Sequence, residues 1–145
     1  MARRIVAIVL GLMSGVVIML GFEFASMTLF PAPADLATFS ATQFADYVQQ
    51  LPIGAFLLVL AGWFFGAVDA AILAAWLAPN RPLLHAAIVS TVLLVMALAN
   101  LIMIPHPFWM VIATPFIYIA AFFIGGTTGK RLHARRYTTT STASG

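Results

Sequence analysis

Apolar residues dominate four long segments of the sequence, and short polar or proline-containing segments separate them. The apolar segments cover residues 5–30, 53–78, 83–104 and 108–129. Each is long enough to cross the ~30 Å hydrocarbon layer of a bilayer, which takes about 20 residues of helix. A backbone inside lipid must satisfy its own hydrogen bonds, so the pattern predicts four transmembrane helices.

The segment between the first two apolar runs has the periodicity of an amphipathic surface helix. Ser40 and Gln43 match a helix capping box, and Phe39 and Phe44 match its hydrophobic staple. Apolar residues then recur at helical spacing, which predicts a short helix over residues 41–51 on the outer membrane surface. Two interpretations stay open for this helix: a linker lying against the headgroups, or a lid over an outward-facing cavity.

The chain is therefore expected to be an all-α polytopic membrane protein with a single domain, residues 1–136, built as a four-helix transmembrane bundle. Residues 137–145 are rich in Thr and Ser and lack apolar periodicity, which predicts a disordered cytoplasmic tail. A cleaved signal peptide is the alternative for the first run. Signal h-regions are shorter, at roughly 7–15 residues, so a transmembrane helix is the preferred interpretation.

Composition and charge agree with a membrane location. The chain is 63% hydrophobic and 8% charged, whereas a soluble domain is about 25% charged. All seven basic residues fall on one side of the predicted membrane, which places both termini in the cytoplasm; they are Arg3, Arg4, Arg81, Lys130, Arg131, Arg135 and Arg136. They mark span ends without interleaved aromatics, so nucleic-acid binding is excluded. The absence of Cys excludes disulfides and thiolate metal sites.

Small residues recur at every fourth position in three of the four runs. Gly11 and Gly15 belong to the first run, Gly62 and Gly66 to the second, and Gly125 to the fourth. Such stripes let helix backbones approach closely inside a bilayer. We expect them to pack the bundle, with a homodimer interface on the second run as the alternative.

Five residues are candidates for functional proton or ligand contacts. Glu23 and Asp69 are ionisable and lie within predicted spans, where charge is costly and is often functional. At ~1.5 Å per residue, Glu23 and Asn100 reach similar depths near the outer ends of their helices. We therefore expect Glu23 to bond to Asn100 or to the loop that contains His106, with His106 and Trp109 at the same outer rim. Each is interpreted either as a structural contact or as part of an outward-facing site.

Asp69 lies deeper, on the small-residue face of the second run, and is expected to point into the bundle. Four hydroxyl side chains at the same depth are candidate hydrogen-bond partners for it, and the sequence does not choose between them: Ser14, Ser90, Thr91 and Tyr118. The carboxyl is interpreted as a hydrogen-bonded pin between helices or as a proton carrier.

His106 stands between two prolines and could ligate a metal ion. A metal site would need three or four ligands, and the sequence does not supply a clear set, so no metal or other cofactor is predicted. His85 and His133 are expected at the surface. No zinc-protease, serine-hydrolase or phosphate-loop motif is present, so no enzymatic activity is predicted.

Three strings resemble a group of small four-span bacterial inner-membrane proteins with no assigned activity. These strings are LPIGA at 51–55, Trp63 with Gly66, and NLIMIPHPFW at 100–109. The resemblance implies a bacterial inner membrane and a four-span plan, and it carries over no catalytic residue. A partial likeness to small multidrug transporters rests on a carboxylate in the first helix, although Glu23 lies nearer the outer end.

The leading hypothesis is a non-enzymatic accessory or structural membrane protein. Its partners would be the lipid bilayer and either a second copy or a larger membrane complex. The alternative is a small solute or proton-coupled transporter that uses membrane-embedded carboxylates. A third class, an intramembrane enzyme, would require Glu23 and His106 to lie within reach of each other or of a cavity.

Overall fold

Helices make up the regular structure of the described chain. The computed structural model describes the backbone of residues 1–142 and the side chains of residues 1–136. A 3-10 turn, Leu36–Thr38, precedes the short second helix. The five α-helices are α1 (Ala2–Leu29), α2 (Ala41–Gln50), α3 (Ile53–Leu77), α4 (Pro82–Met103) and α5 (Phe108–Thr142). All but α2 are long and apolar enough to cross a membrane, which confirms the predicted all-α four-helix plan.

Helix α3 is the central element, because α1, α4 and α5 all pack against it. Helix α1 runs antiparallel to α3, with Gly11 beside Ala74 and Gly15 beside Gly66. Helix α5 runs parallel to α3 on a different side, where Gly125 lies beside Val68. Consecutive membrane helices therefore alternate in direction. One end of the bundle therefore contains the starts of α1 and α4 and the ends of α3 and α5. This end is called the basic end.

The glycine stripes are used inside this arrangement. A Cβ atom built on Gly15 would lie 2.6 Å from the carbonyl oxygen of Gly66, and one built on Gly66 would lie 2.6 Å from that of Gly15. On the other side of α3, a Cβ on Gly125 would lie 2.5 Å from the carbonyl oxygen of Val68. Because only glycine permits these backbone approaches, the stripes set the spacing of α1 and α5 from α3.

Helix α2 begins with the predicted capping box. The backbone N–H of Gln43 donates to Ser40 Oγ at 3.3 Å, and the backbone N–H of Ser40 donates to Gln43 Oε1 at 2.8 Å. The predicted staple has a different partner: Phe39 makes an edge-on ring contact with Tyr47, at 6.4 Å between centroids. Phe44 instead packs against a buried cluster beneath α2. This packing fixes α2 across the opposite end of the bundle from the basic residues.

The turn between α3 and α4 is stabilised at Arg81, which adopts a left-handed backbone conformation with φ 46°. Its carbonyl accepts the Leu84 amide at 2.9 Å and the His85 Nδ1–H at 3.2 Å. His85 is only 3% exposed, so its expected surface location is wrong. His85 can be buried because it lies one helical turn after Arg81, so its Nδ1–H reaches the Arg81 carbonyl oxygen and has a hydrogen-bond partner inside the protein.

Helix α5 continues to Thr142, beyond the predicted span end at 129 and into the segment predicted as a disordered tail. After Gly129 no Gly or Pro interrupts the described part of the helix, so the helix extends past the apolar region. Residues 143–145 of the predicted tail lie outside the described residues. Pro115 stands inside α5, and the neighbouring Thr114 hydroxyl donates to the Met110 carbonyl at 2.8 Å.

Candidate functional site

Asp69 has one side-chain partner in the described chain, and that partner lies on α1. The Ser14 hydroxyl donates to Asp69 Oδ2 across the α1–α3 interface, one turn from the Gly15–Gly66 contact. Both side chains are half-buried, so the pair sits at the edge of the interface rather than at the centre of the bundle. The structure thus selects Ser14 from the four predicted hydroxyl partners.

The other three hydroxyl candidates lie together elsewhere. Ser90, Thr91 and Tyr118 line a groove of about 260 Å³ between α4 and α5. The Ser90 hydroxyl is buried and has no hydrogen-bond partner among the described residues. The predicted equal depth of these groups along their helices does not determine which helix faces which.

Glu23 lies exposed on α1, about two turns from the end of the helix that is remote from the basic residues. Within the described chain its carboxylate makes no hydrogen bond or ion pair, and the side-chain amide of Asn100, which is half-buried near the end of α4, makes none either. The predicted hydrogen bond between these two residues is therefore wrong. Their similar depths do not bring their side chains into contact, because α1 packs mainly on α3 and only slightly on α4.

The His106 side chain is hydrogen-bonded within the turn between α4 and α5. Its Nδ1 lies 2.7 Å from the Ile104 carbonyl oxygen, and because a carbonyl only accepts, Nδ1 carries the proton. The rings of Phe56 and Trp63 each lie 6.2 Å from the imidazole, centroid to centroid. Trp109 meets Phe56 edge-on at 6.5 Å. His106 and Trp109 thus join the aromatic packing between α3 and the start of α5, with no contact to Glu23.

Two further cavities lie at the ends of the bundle. A cavity of about 380 Å³ lies beside the last turn of α2, where Phe30, Tyr47 and Gln50 contribute to its lining. A larger one, of about 570 Å³, lies at the basic end, where Arg3 and Arg136 contribute to the lining. A cavity therefore exists next to the predicted lid helix.

None of the five predicted functional residues lines the α4–α5 groove or either end cavity. Within residues 1–136 no group of three or more His, Asp or Glu side chains could hold a metal ion. The convergence of Arg3 and Arg136 was not predicted, although the one-sided distribution of basic residues was its signal. That distribution was interpreted only as a marker of membrane orientation.

Comparison of the chain with protein-family models, with curated proteins and with solved structures gives no match. The contacts described above are accordingly the basis for inferring function.

Proposed function

We propose that the protein is a non-enzymatic integral membrane protein that serves as an accessory or structural subunit of a membrane assembly. We place it in a bacterial inner membrane with both termini in the cytoplasm. The support for this orientation is the shared basic end, since short cytoplasmic segments of membrane proteins are enriched in Lys and Arg. The sequence resemblance to four-span bacterial proteins supports the compartment.

The observation that carries the proposal is the dispersal of the chemically capable side chains. Asp69 is engaged by Ser14, and His106 is engaged by the Ile104 carbonyl. A catalytic or substrate-binding site needs several such groups that converge on a cavity. Here none of the five predicted functional residues lines any of the three cavities, and Glu23, Asp69 and His106 lie apart from one another, which favours structural roles for them.

Glu23 supports the accessory role in particular. A carboxylate on the lipid-facing surface of a span is costly, and such residues are usually paired within the protein. Glu23 has no partner in the described chain, and its neighbour Phe24 is 73% exposed. A partner helix that donates a hydrogen bond to Glu23 and covers Phe24 would satisfy both. The exposed face of α1 is thus our proposed contact with the assembly.

Site-specific photocrosslinking in native membranes tests this contact. A photoreactive residue at Phe24 is expected to give a discrete protein adduct. The same residue at Phe123 of α5 is the matched control, because it is also apolar and 59% exposed. Glu23→Gln should preserve the adduct, since the amide oxygen still accepts a hydrogen bond, and Glu23→Leu should abolish it. Equal adducts from positions 24 and 123, or indifference to Glu23→Leu, would contradict the proposal.

A proton-coupled transporter is the second candidate, and the Ser14–Asp69 pair favours it. This pair places a carboxyl beside a hydroxyl well inside two packed spans, which suits a proton-carrying group. Proteoliposomes with a pH-sensitive dye inside would then show proton flux that Asp69→Asn abolishes and Glu23→Gln leaves unchanged. We expect no such flux; its presence with that dependence would favour the transporter over the accessory subunit.

A further inference from the structure

The cavity at the basic end combines two chemically distinct walls. One wall is apolar and includes Val6 and Leu10 of α1 and Leu77 of α3. The other is cationic, with Arg3 at the start of α1 and Arg136 near the end of α5. The cavity volume of about 570 Å³ falls within the range of ~300–1,000 Å³ typical of ligand pockets. Residues from the two ends of the chain are thus brought to one site.

The positive charge of this cavity has no carboxylate side chain of the protein in its lining. The four acidic residues are Glu23, Asp35, Asp46 and Asp69, and none of them lines it. Asp35 and Asp46 lie in the segment before α3, at the opposite end of the bundle. Glu23 and Asp69 lie within α1 and α3, farther from the basic end than the cavity. The lining therefore combines two guanidinium groups with no carboxylate side chain, which complements an anionic ligand.

The guanidinium of Arg136, in the cationic wall, is positioned by an aromatic ring. Its guanidinium carbon lies 5.8 Å from the centroid of the Trp76 ring, which is a cation–π distance. A guanidinium also presents its donors in a planar fork that matches the oxygens of a phosphate. The stacked ring limits where that fork can point.

We propose that this cavity binds an anionic phospholipid from the leaflet at the basic end of the bundle. Arg3 and Arg136 hold the phosphate, and one acyl chain lies along Val6 and Leu10. Basic pockets between membrane helices suit acidic headgroups, because the charges meet at the level where phosphates reside. The apolar wall is what separates a lipid from a soluble phosphate as the ligand. This site is independent of the accessory role and of the partner that α1 contacts.

Lipid titration of the full-length protein tests the cationic wall. Native mass spectrometry would follow binding of dioleoyl phosphatidylglycerol, with dioleoyl phosphatidylcholine as the neutral lipid. Arg3→Gln and Arg136→Gln should each weaken phosphatidylglycerol binding about tenfold, or about 1.4 kcal/mol. Arg4→Gln and Arg135→Gln are the matched controls, since they remove the same charge one residue away, outside the cavity. They should change binding less than about twofold, because neither residue lines the cavity and the loss of a nearby charge is screened by salt.

A second pair of variants tests the apolar wall. Val6 and Val9 are both exposed on α1, at 52% and 44%, but only Val6 lines the cavity. Val6→Trp should therefore block the acyl chain and reduce phosphatidylglycerol binding, whereas Val9→Trp should not. Glycerol 3-phosphate, which carries the phosphate without acyl chains, should fail to compete at the concentration where the lipid saturates.

The outcomes that overturn the proposal are specific. Equal weakening by the Arg3 and Arg4 variants would mean general surface attraction rather than a site. Full competition by glycerol 3-phosphate would mean a soluble phosphate site instead. Arg3→Lys retains the charge at the membrane end, so it checks the assignment if Arg3→Gln disturbs insertion. It should bind phosphatidylglycerol more weakly than the unchanged protein, because it loses the fork, and binding at full strength would contradict the assigned phosphate contact.

Discussion

Replacing Gly15 by alanine tests the contact that sets the distance between α1 and α3. The new Cβ would lie 2.6 Å from the Gly66 carbonyl oxygen and 2.8 Å from the Cβ of Ala70. An ordinary contact begins at 3.4 Å, so the two backbones must separate by about 0.8 Å, because repulsion at shorter range is steep. The obstacle is backbone, which cannot move aside as a flexible side chain can.

The expected cost follows from a matched substitution on the same helix. Gly21→Ala places its Cβ in open space, with nothing within 4 Å. Both substitutions gain the same helix propensity, about 1 kcal/mol, so the difference between them isolates packing. Overpacking a tight interior costs about 1–3 kcal/mol. We therefore expect Gly15→Ala to be less stable than Gly21→Ala by about that amount.

Reversible unfolding in mixed micelles, with increasing SDS and helix content as the readout, measures this difference. A double variant sharpens the test, because a Cβ atom added at Gly66 would lie at the same distance, 2.6 Å, from the Gly15 carbonyl oxygen. Once one alanine has separated the helices, the second costs less, so the pair should fall short of additivity by at least about 0.5 kcal/mol. Equal stability of the Gly15 and Gly21 variants would refute the reasoning, and strict additivity would refute the shared contact.

Three further predictions concern local contacts, each measured as a change in unfolding or exchange. Ser14→Ala should lower the free energy of unfolding by about 0.6 kcal/mol, the usual size of an interhelical hydrogen bond in a membrane. Asp69→Asn should lower it less, because an amide oxygen still accepts from Ser14. A larger loss for Asp69→Asn in micelle unfolding would contradict this. Ser40→Ala should cost α2 about 1 kcal/mol, seen as faster amide exchange in its first turn, whereas Thr42→Ala, which leaves the two backbone–side-chain bonds of the capping box in place, should not. Arg81→Gly should be tolerated at φ 46° and Arg81→Val should destabilise by about 1–2 kcal/mol, so equal stability of these two would count against strain at the turn.

The parts of the fold that could be predicted from sequence are those decided locally. The number of membrane helices depends on runs of apolar residues, and the α2 capping box depends on residues three positions apart, and both were confirmed. The end of α5 was not, because the helix continues beyond its apolar run. The position of a side chain around its helix relative to other helices is not local. Asp69 and Ser90 were predicted at similar depth, yet one faces α1 and the other lines the α4–α5 groove. The predicted Glu23–Asn100 pair failed for the same reason.

The packing around α3 bears on how a second copy of the chain could associate with it. The alternative interpretation of the α3 stripe was a homodimer interface, but Gly62 and Gly66 are covered by Phe22 and Met19 of α1. A dimer through this stripe would have to displace α1, and with it the Ser14–Asp69 hydrogen bond. Any association that keeps this fold must therefore use surfaces other than the glycine stripes. The exposed face of α1 around Phe24 is such a surface, because it presents large apolar side chains next to Glu23, a carboxylate within a span that has no partner in the described chain.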